Sequence, residues 1–321
     1  MNSIEEIVTI LKKLKSAVIF THMRPDGDTL GCGMALSRAL SLCGIENEVV
    51  NEGVIPERFD FLSECKTILR APTIDAEGYI CVDSSDSTRL GEAEQIFLAG
   101  ARKKITINID HHISNKKYCK YNFVRERSSN CENIGEIITL MGVPFDEKIG
   151  TYLMMGMVTD SGAFSHSDVN GDTFRAAAKA ADAGANVNRI TYEVYHKRSK
   201  ACAMLYAATV SRLRFFLNEK LAVAVVPREA LERYKLVADA TEGIVDFALN
   251  IDCVEVSVCL LEVKERQYKA SLRSKGKTNV NRIANVFGGG GHVLASGCML
   301  FGELEDVLDR LSYAVKQHLE D

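Results

Sequence analysis

The sequence predicts an α/β protein of two domains. The larger N-terminal domain has a mostly parallel sheet flanked by helices; a helical connector and a smaller α/β C-terminal domain follow. Three observations carry this prediction. Short apolar runs at 17–20, 78–82 and 105–109 read as strands, and the continuous run at 17–20 has the look of one buried on both faces, as parallel sheets require. Segments with apolar residues at helical spacing alternate with these runs. With 321 residues the chain is long enough for two domains, and a polar, helical stretch from about 185 to 216 separates two groups of strands. The division is placed at 1–187, 188–216 and 217–321.

Taken in order, Ile4, Ile7, Leu11 and Leu14 predict a helix over 4–15. The first strand, Ala17-Val18-Ile19-Phe20, ends in Thr21-His22-Met23-Arg24-Pro25-Asp26-Gly27-Asp28. Pro25 and Gly27 fix a turn, from which His22, Asp26 and Asp28 can point at one centre or at two neighbouring ones. A helix follows over 29–43. Gly31, Cys32 and Gly33 in its first turn allow close approach of backbone to the site, and Gly44 caps its end. A second strand is expected at 45–51, and a loop entering a short helix at 56–61. The run from Gly78 to Val82 ends in Asp83, another candidate ligand, and Arg89 beyond it can meet an anion.

The run at 105–109 ends in Asp110-His111-His112. Open α/β sheets place ligands beyond the carboxyl ends of their strands. Carboxylate plus imidazole is the donor set of a divalent transition metal. A short strand at 121–124 and helices at 131–142 and 146–158 come next. The second helix runs into Asp160, a carboxylate at a helix-to-loop junction, with Gly162 allowing a sharp turn; the methionines before it read as core. An Ala-rich helix over 173–184 shows no chemistry.

In the second domain, strands are expected at 221–226, 254–260 and 267–274, the last ending in Ser271-Leu272-Arg273-Ser274. Val280, Ile283, Ala284 and Phe287 mark a helix face, and Gly288-Gly289-Gly290-Gly291-His292 follows directly. Backbone N–H groups of Gly289, Gly290 and Gly291 can turn toward an anion, with a helix starting beyond them. His292 adds a hydrogen bond or a positive charge. With Arg273 and Ser274 at a nearby strand end, this loop is a candidate phosphate-binding site.

Composition narrows the partners. The formal net charge of −4 argues against a broad basic surface for long duplex nucleic acid, so a nucleotide ligand is expected to be short. No run approaches a membrane span, and the N-terminus is acidic where a signal peptide would be basic. Ten cysteines are scattered with no Cys-x-x-Cys, which reads as small buried residues in a reducing, cytoplasmic setting rather than a zinc ribbon or redox pair.

The order His22-x-x-x-Asp26-x-Asp28, Asp83, Asp110-His111-His112, Asp160 and the 288–292 glycine-histidine run resembles the DHH phosphoesterase superfamily with a DHHA1 C-terminal domain. Within it, the chain is most similar to the bacterial bifunctional oligoribonuclease and pAp-phosphatase (nano-RNase) type. The resemblance implies two divalent ions, manganese expected and magnesium the alternative. By analogy His22 and Asp26 hold one ion, Asp28, His111 and Asp160 hold the other, and Asp83 bridges them. Such a pair stabilises both the attacking and the leaving oxygen of a phosphoester. Asp110 and His112 are then the candidate catalytic residues, Asp110 orienting and His112 contacting the phosphate or leaving oxygen. Arg89, Arg273, Ser274, Gly289, Gly290, Gly291 and His292 are the candidate substrate contacts.

The implied activity is release of mononucleotides from short RNA, or of the 3′-phosphate from pAp. Alternatives are hydrolysis of cyclic dinucleotides or linear pApA, a RecJ-like single-strand DNA exonuclease, a related pyrophosphatase, and a catalytically silent nucleotide-binding module. A homodimer is left open. Two segments depart from the family's usual form: Ser128-Ser129-Asn130-Cys131-Glu132, and Ala295-Ser296-Gly297 where Ala-Ala-Gly is usual. Neither is expected to touch a metal ligand, so both bear on substrate preference.

Overall fold

The computed structural model describes residues 1–319. It divides into two compact units, Met1–Lys197 and a second from Arg198 onward. The division falls inside the stretch read as a connector.

In the first unit the elements are α1 (Ile4–Leu11), β1 (Ser16–Phe20), α2 (Gly27–Leu42), β2 (Glu46–Val50), β3 (Gly78–Val82), α3 (Ala93–Ala101), β4 (Ile105–Asp110), β5 (Tyr121–Val124), α4 (Asn130–Leu140), α5 (Glu147–Asp160), α6 (Gly171–Asp182) and α7 (Val187–Thr191). Among the described residues the five strands form one parallel sheet in the order β2-β1-β3-β4-β5. Alternate side chains leave opposite faces of a strand. Ile19, Ile80 and Ile107 join the core under α2, α4 and α5, whereas Val18, Phe20, Tyr79 and Cys81 join a second core with Phe97 of α3. Burial on both faces is the reason β1 and β3 read as nearly unbroken apolar runs, while β4 buries Thr106 and Asn108 on its second face.

The strand order creates a switch point between β1 and β3. From β1 the chain first winds to β2, then returns to the other side. The loops leaving the carboxyl ends of β1 and β3 therefore diverge, opening a crevice where ligands of doubly wound sheets bind. Phe20 is paired with Cys81, and Val82 with Ile109. That register brings His22, Asp83 and the 110–112 triplet out at one edge.

The second unit holds α8 (Lys200–Val210), β6 (Arg214–Phe216), β7 (Leu221–Val226), α9 (Arg228–Tyr234), α10 (Ile244–Leu249), β8 (Val256–Lys264), β9 (Gln267–Ser274), α11 (Val280–Val286), β10 (Gly290–Gly291), β11 (Ala295–Phe301) and α12 (Leu304–Lys316). Its mixed sheet runs β10-β11-β9-β8-β7-β6, parallel only between β7 and β8 among the described residues. Val280 and Ile283 of α11 pack with Leu308 and Leu311 of α12 on one face; Leu205 and Ile244 pack on the other.

Two expectations are corrected here. The stretch at 185–216 is not helical throughout: β6 occupies its end and joins the second sheet. No helix starts beyond the glycine run either. Gly290 and Gly291 pair with Gly297 and Ser296 in a tight hairpin, and β11 follows.

Candidate metal centre

The site is built at the edge where β1, β3 and β4 end. Asp26 is the N-cap of α2, its Oδ1 accepting from the amides of Asp28 (3.1 Å) and Thr29 (3.0 Å). Capping consumes one carboxylate oxygen and aims the other, Oδ2, at His22 Nε2, 3.4 Å away. The His22 amide donates to Thr29 Oγ1 (3.3 Å) and its carbonyl accepts from Asn51 Nδ2 (2.7 Å), so the residue is tied at both ends.

Asp83 is buried in the middle. Its Oδ2 lies 3.4 Å from His22 Nε2, and its Oδ1 lies 3.3 Å from His111 Nε2. Its backbone is left-handed, φ 52°. Aspartate tolerates that region better than most residues, yet such strain costs on the order of 1–3 kcal/mol and gathers at functional sites. His111 Nε2 also faces Asp160 Oδ2 at 3.4 Å and Asp28 Oδ2 at 3.9 Å. Two groups thus form around Asp83: His22 with Asp26 and Asp83, and His111 with Asp28 and Asp160, each with ligand atoms within 4.8 Å of one another.

Outer contacts hold these side chains in place. His111 Nδ1 meets the Arg127 carbonyl at 2.9 Å, which leaves Nε2 toward the carboxylates. Asp28 Oδ2 accepts from the Asn130 amide (2.6 Å) and Oδ1 from the Cys131 amide (2.9 Å). The 128–132 segment therefore does touch a candidate metal ligand, contrary to expectation, through backbone donors that carry no residue-type signature. Asp160 ends α5, whose last carbonyls, Val158 and Thr159, accept from Tyr195 Oη, each at 3.1 Å. His166 Nδ1 meets the Asp160 carbonyl at 2.8 Å. Tyr195 and His166, and Asn115, which donates to Asp110 Oδ2, escaped the sequence reading, since no strand end or spacing marks them.

The side chains alone are electrostatically crowded. Burial, then the charge of Asp83, pushes Asp28 up to about 7. Burial with Asp28 and Asp83 pushes Asp160 up to about 9. Burial also opposes the charged form of Asp83, but the His111 and His22 imidazoles facing its two oxygens prevail and hold it well below the usual carboxylate range. Burial works against charge on the imidazoles, yet Asp26 and Asp83 raise His22 to about 9, and Asp83 with Asp28 raises His111 to about 11. His22 Nε2 and Asp83 Oδ1 are buried with no hydrogen-bond partner. A buried polar atom left so costs about 1–3 kcal/mol. Divalent cations at the two groups would satisfy both atoms and neutralise the crowding, and four carboxylates with two imidazoles suit a hard or borderline ion such as Mn²⁺ or Mg²⁺. The residues fit the implied pair.

Beside the cluster, His112 Nδ1 is 2.8 Å from Asp110 Oδ1, and Asn115 Nδ2 donates to Asp110 Oδ2 at 2.6 Å. This aims His112 Nε2 outward, where Arg89 Nη1 meets it at 3.1 Å. Eight of the sequence-predicted residues and Arg89 are thus brought together: His22, Asp26, Asp28, Asp83, Asp110, His111, His112 and Asp160.

The remaining candidates lie in the second unit. Arg273 Nε is 3.6 Å from Asp246 Oδ1, and its Nη1 donates to the Leu272 carbonyl (3.0 Å). Ser274 is buried and its hydroxyl donates to the Thr278 carbonyl (2.6 Å), a loop-holding contact. The amides of Gly288 and Gly289 donate to the Asn285 and Ala284 carbonyls at the end of α11, and that of His292 donates to the Ala295 carbonyl within the hairpin. The expected cradle of inward-turned amides is to that extent engaged in folding the loop. A Cβ on Gly289 would lie 2.2 Å from the Gly297 carbonyl, so glycine is required there by close packing. His292 is exposed.

Comparisons with known proteins converge on one family. A DHH family N-terminal domain model matches residues 16–157, and a DHHA1 domain model matches 218–321. The bifunctional oligoribonuclease and PAP phosphatase NrnA of Thermus thermophilus is 27% identical over 324 residues, which cover 98% of this chain and 93% of that protein. The Bacillus subtilis protein of the same name is 23% identical, with 98% and 99% covered. Among solved structures, an exopolyphosphatase-related protein from Bacteroides fragilis matches with a TM-score of 0.90 at 25% identity, covering 98% of this chain and 95% of that one. No helix among the described residues is long and apolar enough to cross a membrane.

Proposed function

The chain belongs to the DHH family with a DHHA1 domain, and on that premise we propose that it is a dinuclear-metal phosphohydrolase of short nucleotides. It would release mononucleotides from RNA oligomers of a few residues and remove the 3′-phosphate of pAp. The observation that carries this reading is Asp83, a strained, buried carboxylate whose two oxygens face two separate His-carboxylate groups. The names of the near-full-length relatives give the substrate class.

In this reading His22 and Asp26 would hold one ion and Asp28, His111 and Asp160 the other, with Asp83 available to both groups. When bound, a divalent pair supplies an activated water and neutralises charge on the phosphate. Manganese is the ion that the oxygen-rich donor set favours, with magnesium second.

The chain's own groups do the rest. Arg89 offers a guanidinium for a phosphate oxygen, a charge-assisted contact. His112 sits beside it, held in one tautomer by Asp110, and contacts the phosphate or the leaving oxygen. In the second unit, Arg273 and His292 are the candidate contacts for a nucleotide phosphate, offering a guanidinium and an imidazole. The cytoplasm suits ten cysteines with no disulfide.

The test is a turnover panel: pAp, short RNA, short DNA, and linear and cyclic di-adenylate, each with Mn²⁺ and with chelator. Metal-dependent turnover of pAp and short RNA together is expected. Strong preference for a di-adenylate would replace this substrate assignment, and no turnover despite bound metal would refute it.

A further inference from the structure

Helices α4, α5 and α6 of the first unit line a cavity of about 300 Å³. Phe145, Leu153 and Met157 give it an apolar wall. Gly135 of α4 keeps it open: a Cβ there would meet Leu153 Cδ1 at 3.3 Å and the Phe145 ring at 3.6 Å.

The charged groups in the lining are unevenly paired. Asp172 binds Arg127 at 2.8 Å and also Arg175. Glu136 binds Arg125 and lies 3.9 Å from Arg127. Glu132 accepts from the Ser129 amide (3.2 Å) and the Thr173 hydroxyl (3.3 Å). Lys179 is different. Its ammonium sits 4.2 Å from the centroid of the Phe145 ring and donates to the Thr139 hydroxyl, with no carboxylate in ion-pair reach among the described residues. Arg127 Nε is buried without a hydrogen-bond partner. The acids of the lining are satisfied, while an ammonium and a guanidinium N–H keep unused capacity beside an aromatic and aliphatic wall.

We propose that this cavity binds a small aromatic carboxylate, its ring against Phe145, Leu153 and Met157 and its carboxylate on Lys179. The volume is at the low end for ligand pockets, which run roughly 300–1,000 Å³, and suits one or two fused rings. The wall from Arg127 to Cys131 is also the segment whose Arg127 carbonyl meets His111 and whose amides at 130 and 131 hold Asp28. Occupancy of the cavity is therefore coupled to the metal centre. That coupling rests on the reading of His111 and Asp28 as ligands; the binding itself does not.

The experiment titrates the full chain with 2-naphthoate, followed by calorimetry and protein NMR. Binding at one site is expected, with neutral 2-naphthamide at least tenfold weaker and inorganic phosphate unable to compete. Gly135→Leu fills the space and Lys179→Met removes the cation; each should weaken 2-naphthoate at least tenfold in a folded protein. No binding, equal affinity for acid and amide, or binding that survives both substitutions overturns the proposal. Bound 2-naphthoate should also shift the Mn²⁺ dissociation constant about fivefold or more, a typical coupling. Naphthoate binding with an unchanged Mn²⁺ constant overturns the coupling. Naphthoate binding in a chain that takes up no Mn²⁺ overturns the metal reading and leaves the cavity site standing.

Discussion

Gly156→Ala probes how tightly the metal centre is built into the packing of α5 against α2 and α4. A Cβ at 156 would lie 2.2 Å from Cys131 Sγ and 2.6 Å from Asp28 Oδ1. Nonbonded carbon contacts sit at about 3.5–4.0 Å, so both neighbours must retreat by about an ångström or more. Neither has room. Cys131 is fully buried with its sulfur 3.5 Å from Cys32 Sγ, and Asp28 is locked by two amides. Overpacking of this kind costs about 1–3 kcal/mol. For a unit of this size each kcal/mol is worth roughly 2–4 °C, so the unfolding midpoint of the N-terminal unit should fall by about 2–12 °C. Displacing Asp28 should also weaken metal binding. The double variant Gly156→Ala/Cys131→Ala separates the two effects. It relieves the sulfur contact and should recover part of the stability, while the contacts with the Cβ at 131 (3.0 Å) and with Asp28 persist and the metal deficit remains. The assays are calorimetric unfolding and Mn²⁺ titration. A single variant that unfolds and binds Mn²⁺ like the parent chain would refute this picture of the packing.

Other outcomes follow from the same geometry. Asp28 raised to about 7, Asp160 and His22 to about 9, and His111 to about 11 all carry protons in acid, and a cation must displace them. Mn²⁺ affinity should therefore rise from pH 6 to 9 with protons released on binding, measurable in weakly buffered solution; a flat profile would exclude these ligands. On the proposed phosphate-binding role, Arg89→Ala would remove a charge-assisted contact of about 1.5–3 kcal/mol, so kcat/KM should drop roughly 10- to 150-fold, with the metal content intact. Asp110→Asn leaves the His112 tautomer unspecified and should cost about 10–100-fold in kcat, the usual range for losing an orienting carboxylate. The comparison of kcat with metal content tells that role apart from ligand loss.

Much of the site was readable because strands announce their own ends. The runs closing at Phe20 and Val82 are apolar on both faces, and the one closing at Ile109 alternates isoleucines with buried Thr106 and Asn108; each ends abruptly in charged or hydrogen-bonding residues that mark the sheet edge, and parallel pairing gathers those edges. What escaped reading was mostly backbone chemistry. The amides of Asn130 and Cys131 and the carbonyl of Arg127 hold Asp28 and His111, yet any residue type supplies the same groups. Contacts distant in sequence were hidden for a related reason. Cys32 and Cys131 meet only because α2 and α4 pack together, and ten scattered cysteines give no hint of it. The glycine run misled because glycine serves tight strand pairing as readily as anion binding, and β11 takes up its amides' neighbourhood. The amphipathic α12 and the short β6 went unread among polar residues.

The most direct test is electron paramagnetic resonance of the full chain titrated with Mn²⁺. An exchange-coupled two-ion signal should develop as two equivalents bind, and Asp83→Asn should abolish the coupling. A single uncoupled Mn²⁺ in the parent chain, or coupling that survives Asp83→Asn, would contradict the placement of Asp83 between two ions.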